Sequence, residues 1–227
     1  MAGWGAGDLT ARVAVFYTPA ADDPLWVDGN RWLGRDPASG RRIPTDRDEI
    51  KRDPRVYGFH ATLKPPMRPA FPWTALLDDV AAMTERIAPF DLPPLAVVDL
   101  GGFLALCETA PCPALHALAD ACVTELDAHR RPADAVEIAR RRGAGLSAAQ
   151  DAMLLDWGYP HVLGTWRFHM TLTRRLNEAE RAVVLPEAQA HFAPALAVSR
   201  RVSEVCLFTQ IGPGAGFMLA ERVALLG

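Results

Sequence analysis

The sequence predicts an α+β fold: two pseudo-symmetric antiparallel-sheet lobes with helices packed outside them and a cleft between. Three observations carry that expectation. The string Phe-His-x-Thr-Leu occurs twice, as "FHATL" at residues 59–63 and "FHMTL" at residues 168–172. Each copy is followed by the same order of signals: a helical stretch, a strand, a glycine-marked turn and a second strand. With this composition, chance recurrence of the four fixed letters is about a one-in-a-thousand event, so duplication or shared chemistry is the better account.

The elements follow in chain order. "ARVAVFYTP" (residues 11–19) is rich in Val and aromatics and ends at a proline, which reads as a strand. Residues 20–55 are crowded with Pro, Gly, Asp and Arg, and read as loop with one short helix near residues 25–33. The first motif is a strand stopped by Pro65 and Pro66, and residues 73–87 show helical periodicity. "LAVVDLGGFLALCE" reads as a hairpin turning at Gly101 and Gly102. Three helices are expected over residues 112–158, the last opened by a Ser147–Gln150 capping box. After the second motif come a helix over residues 177–192, broken near Pro186, and two strands joined at residues 212–216. The chain therefore divides into lobe one (about 11–111), a helical insertion (about 112–158) and lobe two (about 159–227), packed as one domain.

Length and composition narrow the function classes. A chain of 227 residues buries a substantial core, and half of its residues are hydrophobic. Net charge is -3, and Lys51 and Lys64 are the only lysines, which argues against a protein built mainly to grip long nucleic acid. The N-terminal stretch has no cationic start followed by an apolar run, and no segment approaches 18 uninterrupted apolar residues. A cytoplasmic protein with no membrane partner, expected to be a monomer, is the reading. Four cysteines form no CxxC pair. Cys112, His116, Cys122 and His129 follow no familiar zinc spacing, so no metal is expected.

The repeated stretch carries the chemistry. In a strand, alternate side chains share a face. Phe59, Ala61 and Leu63 point one way and His60, Thr62 and Lys64 the other. In the second copy Phe168, Met170 and Leu172 point inward, and Arg167, His169, Thr171, Thr173 and Arg175 share the opposite face. Two such strands brought together present two imidazoles flanked by two hydroxyls and cations. An imidazole has an ordinary pKa of about 6.5, so near neutrality one histidine can be a base while the other is an acid. Each role is worth about 10² to 10⁴ in rate. The threonines can donate to non-bridging phosphate oxygens, and a cation can stabilise charge in the transition state. His60 and His169 are therefore the candidate catalytic residues, and Thr62, Thr171, Lys64 and Arg167 the candidate phosphate-binding ones. The chemistry calls for no cofactor.

Two His-x-Thr motifs, each on a strand of a duplicated lobe, resemble the 2H phosphoesterase superfamily. The longer strings "YGFHATLKPP", "WLGRDPASG" and "GYPHVLGTWRFHMTLT" look like an uncharacterised branch found beside bacterial phosphonate-degradation genes. The resemblance covers nearly the whole chain. It implies a bilobal α+β fold and metal-independent chemistry on cyclic phosphates or 2′-linked phosphodiesters, with a small phosphorylated substrate. RNA-end chemistry is the first rival and a non-catalytic phosphate-ligand protein the second. Arg174 and Arg175 read as solvated strand-end residues, and Tyr17, Trp26, Trp32 and Tyr159 as packing aromatics.

Overall fold

A computed structural model describes residues 11–143 and 145–227. The leader reading rests partly on residues 1–10, which lie outside the described residues. Among those described, no helix is long and apolar enough to cross a membrane.

The strand β1 (Arg12–Tyr17) is buried along nearly its whole length because both of its faces are covered. Val13, Val15 and Tyr17 join the main core; Ala14 and Phe16 join a smaller cluster with Cys206, Phe208 and Phe217 on the other face. Next come the helices α1 (Pro24–Leu33) and α2 (Asp48–Tyr57), the first motif strand β2 (Ala61–Met67) and the helix α3 (Trp73–Thr84). The strand β3 (Phe90–Leu92) precedes a hairpin of β4 (Leu95–Asp99) and β5 (Leu104–Glu108). The insertion holds α4 (Pro113–Thr124), α5 (Ala135–Arg142) and α6 (Ala148–Trp157), the last with the expected Ser147 capping box. The second motif gives only β6 (Met170–Thr171), followed by α7 (Glu178–Leu196), β7 (Arg200–Val202), β8 (Glu204–Gln210) and β9 (Met218–Ala224).

Seven strands form one sheet in the order β4-β5-β6-β2-β1-β8-β9, and β3 pairs with β7. All pairings between named strands are antiparallel. The two motif strands lie side by side at the centre. Each repeat keeps the order motif strand, helix, short strand, hairpin, but the hairpins cross over. The β4–β5 hairpin of the first repeat flanks β6 of the second, and β8–β9 of the second reaches β2 through β1. Helices α1, α3, α4 and α7 contribute Leu33, Val80, Leu118 and Phe192 to the core on one sheet face. The opposite face of β2 and β6 is left for the site.

Three local readings change. The segment read as loop contains α2, whose buried face includes Lys51 and Arg55 as well as Ile50. The Arg55 guanidinium caps the end of α1 through the Leu33 carbonyl and pairs with Asp48, so ionic contacts replace the apolar stripe. The helix α7 continues past Pro186 because Val184, Ala188, Phe192 and Ala195 anchor it to the core. The strand β2 runs through Pro65 and Pro66 to Met67. It pairs with β6 at Ala61, so the missing N–H groups of Pro65 and Pro66 fall beyond that pairing.

Candidate active site

The register of the two central strands builds the site. Ala61 pairs with Met170 in an antiparallel ladder, and both side chains are fully buried in the core. Carrying that register one residue either way sets His60 opposite Thr171 and Thr62 opposite His169, on the face away from the core. Directly opposed side chains have Cβ atoms about 4.5–5.5 Å apart, so each histidine stands beside the other motif's threonine. The two histidines are diagonal neighbours across the same step.

Both imidazoles are oriented by the same bond. His60 Nδ1 lies 2.9 Å from the carbonyl of Gly58, and His169 Nδ1 lies 2.9 Å from the carbonyl of Arg167. A carbonyl only accepts, so Nδ1 carries a proton in each ring and Nε2 is the nitrogen left to accept or return one. His60 Nε2 is 3.3 Å from Thr62 Oγ1. Gly58 makes the first of these bonds possible. Its φ of 84° and ψ of 178° belong to glycine, and a Cβ there would meet Pro37 Cγ at 2.9 Å.

The two rings differ in surroundings. The ring centroids of Phe16 and His60 are 3.9 Å apart, and Tyr57 stacks on the His60 ring at 5.9 Å. Burial pushes the His60 pKa down to about 4, and the nearby His169 adds to the fall, while the Gly58 bond opposes it. His60 is thus a free base at neutral pH. His169 meets Phe103 edge to face, with ring centroids 6.0 Å apart.

Thr62 and His169 line a cavity of about 450 Å³ together with Arg167, Arg175, Tyr159 and Trp166. Two tryptophans fix the motif strands: Trp166 Nε1 donates to the Thr62 carbonyl at 2.8 Å, and Trp32 Nε1 to the Leu172 carbonyl at 3.0 Å. The first bond ties the approach to motif two directly onto motif one. A larger hollow of about 580 Å³ lies at the far end of β1 and β2, but it mixes Asp134 and Glu137 with its arginines and holds neither motif histidine.

The structure corrects Lys64. The pairing of β1 with β2 has two register shifts; at the one between Val15, which pairs with Lys64, and Phe16, which pairs with Thr62, β2 carries one extra residue, a β-bulge at Leu63. The bulge turns Lys64 to the face of Val15, which is the core face. There the residue is 1% exposed, with Nζ 3.0 Å from the Val123 carbonyl and 3.2 Å from Asp127 Oδ1. It holds α4 against the sheet and does not reach the cavity. Thr173 is likewise buried, accepting from the Leu104 N–H at 3.0 Å, because the strand ends at Thr171. Arg167 stays on the cavity side. Arg175 and Tyr159, read from sequence as solvated and packing residues, both line the cavity; Tyr17, Trp26 and Trp32 are buried.

Fold and site together define an α+β protein with two His-x-Thr strands paired across the middle of one antiparallel sheet. The chain belongs to the family described as "Protein of unknown function (DUF1045)", whose model matches residues 62–218. It is 37% identical over 237 residues to "Ribose 1,5-bisphosphate phosphokinase PhnN" of Janthinobacterium sp. (strain Marseille), covering 98% of this chain and 52% of that protein. It is 34% identical over 224 residues to the protein of the same name from Laribacter hongkongensis (strain HLHK9), covering 95% and 52%. The chain thus spans about half the length of these curated relatives. Among solved structures, E. coli LigT in apo form is 17% identical with a TM-score of 0.47, covering 96% of this chain and 99% of that one. A structure described as a phosphoesterase is 16% identical with a TM-score of 0.46 and the same coverage.

Proposed function

We propose that this protein is a metal-independent phosphodiesterase that opens a small cyclic phosphate ester by paired histidine acid–base catalysis. The observation that carries the reading is the register of β2 and β6, which faces each motif histidine with the other motif's threonine. A phosphate seated on that step meets two Nε2 atoms and two hydroxyls. His60, kept unprotonated by burial, takes a proton from the attacking water. His169 returns a proton to the departing ring oxygen, and the threonine hydroxyls donate to the non-bridging oxygens as charge builds on them. Atoms balance: water adds across one P–O bond, giving a phosphate monoester and a free hydroxyl. A ribose cyclic phosphate is the finer reading of the substrate. It is supported by the motif resemblance, and by relatives whose name places them on a phosphorylated ribose.

The test is phosphorus NMR in EDTA with a panel of ribose cyclic phosphates, 2′,3′-cyclic nucleotides, a short RNA ending in a cyclic phosphate and a 2′,5′-linked dinucleotide. Loss of one cyclic signal, abolished in His169→Ala, supports the reading and names the class. A folded protein that leaves the whole panel intact overturns it.

A further inference from the structure

The cavity holds more positive charge than a cyclic phosphodiester needs. Among its lining residues are Arg167 and Arg175, and no carboxylate is among them, although the whole chain carries a net charge of -3. Among the described residues neither arginine forms an ion pair. Arg167 has no hydrogen-bond or ion-pair partner for its guanidinium among the described residues. Arg175 gives one amine to the Gly101 carbonyl at the β4–β5 turn, which is itself neutral. The closest acidic side chain of that turn, Asp99, is already taken by Arg181 at 2.7 Å and by the Gly102 N–H at 2.6 Å.

Charge accounting separates two classes of substrate. A cyclic phosphodiester carries one negative charge, and in the acid–base scheme a protonated His169 balances it while His60 is neutral. The two guanidinium groups then remain in surplus. A phosphate monoester, at roughly −1.5 to −2 near neutrality, matches that surplus. Spacing agrees. Arg167 precedes His169 by one two-residue repeat of extended chain, about 7 Å. One sugar ring with a terminal phosphate arm spans that distance.

We infer that the substrate carries a second anionic group, a phosphate monoester held by Arg167 and Arg175 while its cyclic diester lies between the His-x-Thr strands. The inference rests on the proposed reaction for the position of the first phosphate. It selects a phosphorylated sugar or 5′-phosphorylated nucleotide over the corresponding monophosphate.

The experiment measures kcat/KM in EDTA for two matched pairs: ribose 1,2-cyclic phosphate with and without a 5-phosphate, and adenosine 2′,3′-cyclic phosphate with and without a 5′-phosphate. The readout is the ratio within each pair. In the wild type the second phosphate raises kcat/KM about 10- to 100-fold in at least one pair, as charge-assisted bonds to one group do. In Arg167→Gln and Arg175→Gln that ratio falls about tenfold or more, and Arg175→Lys recovers part of it. The pair with the larger ratio tells the sugar from the nucleotide. A wild-type ratio near one in both pairs, or a ratio untouched by either substitution, overturns the inference. Calorimetric binding of adenosine 2′-phosphate against adenosine 2′,5′-bisphosphate runs alongside. Preference for the bisphosphate without ring opening leaves the second-phosphate site standing and removes the proposed reaction. Equal affinities together with equal ring opening remove the site and leave the reaction.

Discussion

Replacing Lys64 by methionine separates the structural role seen here from the substrate role that strand alternation alone assigns. The Lys64 ammonium is fully buried, donates to the Val123 carbonyl and pairs with Asp127. Deleting one partner of a buried ion pair costs about 3–5 kcal/mol when the other is left stranded. Asp127 is not stranded, since Arg130 binds both of its oxygens at 2.8 Å and its side chain is 24% exposed. The loss is therefore nearer one charge-assisted hydrogen bond, about 1.5–3 kcal/mol. Relief of the lysine's own desolvation, which lowers its pKa, offsets part of that. Methionine refills most of the space and tolerates an irregular pocket. The net expectation is a destabilisation of about 1–2 kcal/mol. At about 2–4 °C per kcal/mol for a chain of this size, Tm falls by about 2–8 °C. Urea unfolding and kcat/KM on the cyclic substrate are measured on the same preparation, and kcat/KM stays within about threefold. A 100-fold loss of kcat/KM with unaltered stability would refute the reasoning and return Lys64 to the substrate.

The remaining predictions concern the motif pair and its support. Because burial holds His60 near pH 4, the acid limb of kcat/KM falls near pH 4 and not near 6.5; a limb at 6.5 that survives in His169→Gln would show that His60 titrates normally. The same shift links to stability. Between about pH 6.5 and pH 4 the unfolded chain binds a proton that folded His60 does not, so stability falls as pH drops through that window and levels off below it. The urea midpoint of His60→Gln should vary less over this range than that of the wild type, with Tyr57 and His169 as the other titratable groups beside the ring. Gly58→Ala forces a side chain into a conformation with φ of 84° and against Pro37; it should cost about 1–3 kcal/mol by thermal melting and lower kcat by misplacing His60. Thr62→Val and Thr171→Val should each lower kcat by less than the histidine substitutions do, and unchanged kinetics in both would remove the phosphate-contact role.

Much of this was legible because a strand has a period of two. Phe59, Ala61 and Leu63 are in the core, as are Phe168, Met170 and Leu172, and each His-x-Thr lies on the other face. Glycine and proline punctuation likewise places β4–β5 and β8–β9, and Ser147 the start of α6. The misses have physical causes. A bulge adds one residue to β2 without any local signature, and that residue decides where Lys64 points. The strands β3 and β7 are three residues each and exist only because they pair with one another. The polar helix α2 is fastened by Arg55 and its ion pair, contacts that no hydrophobic pattern announces. Arg175 and Tyr159 come to the cavity through the turn after β6 and the end of the insertion, where alternation no longer applies.

The central claim is that His60 and His169 act as a unit on one phosphate. A double-mutant cycle in kcat/KM, with His60→Ala, His169→Ala and the combined variant all checked for folding, tests it most directly. The account predicts that each single change removes about 10² or more, and that the double variant is scarcely slower than the worse single one. Wild-type turnover in either single variant, or losses that simply multiply, would contradict it.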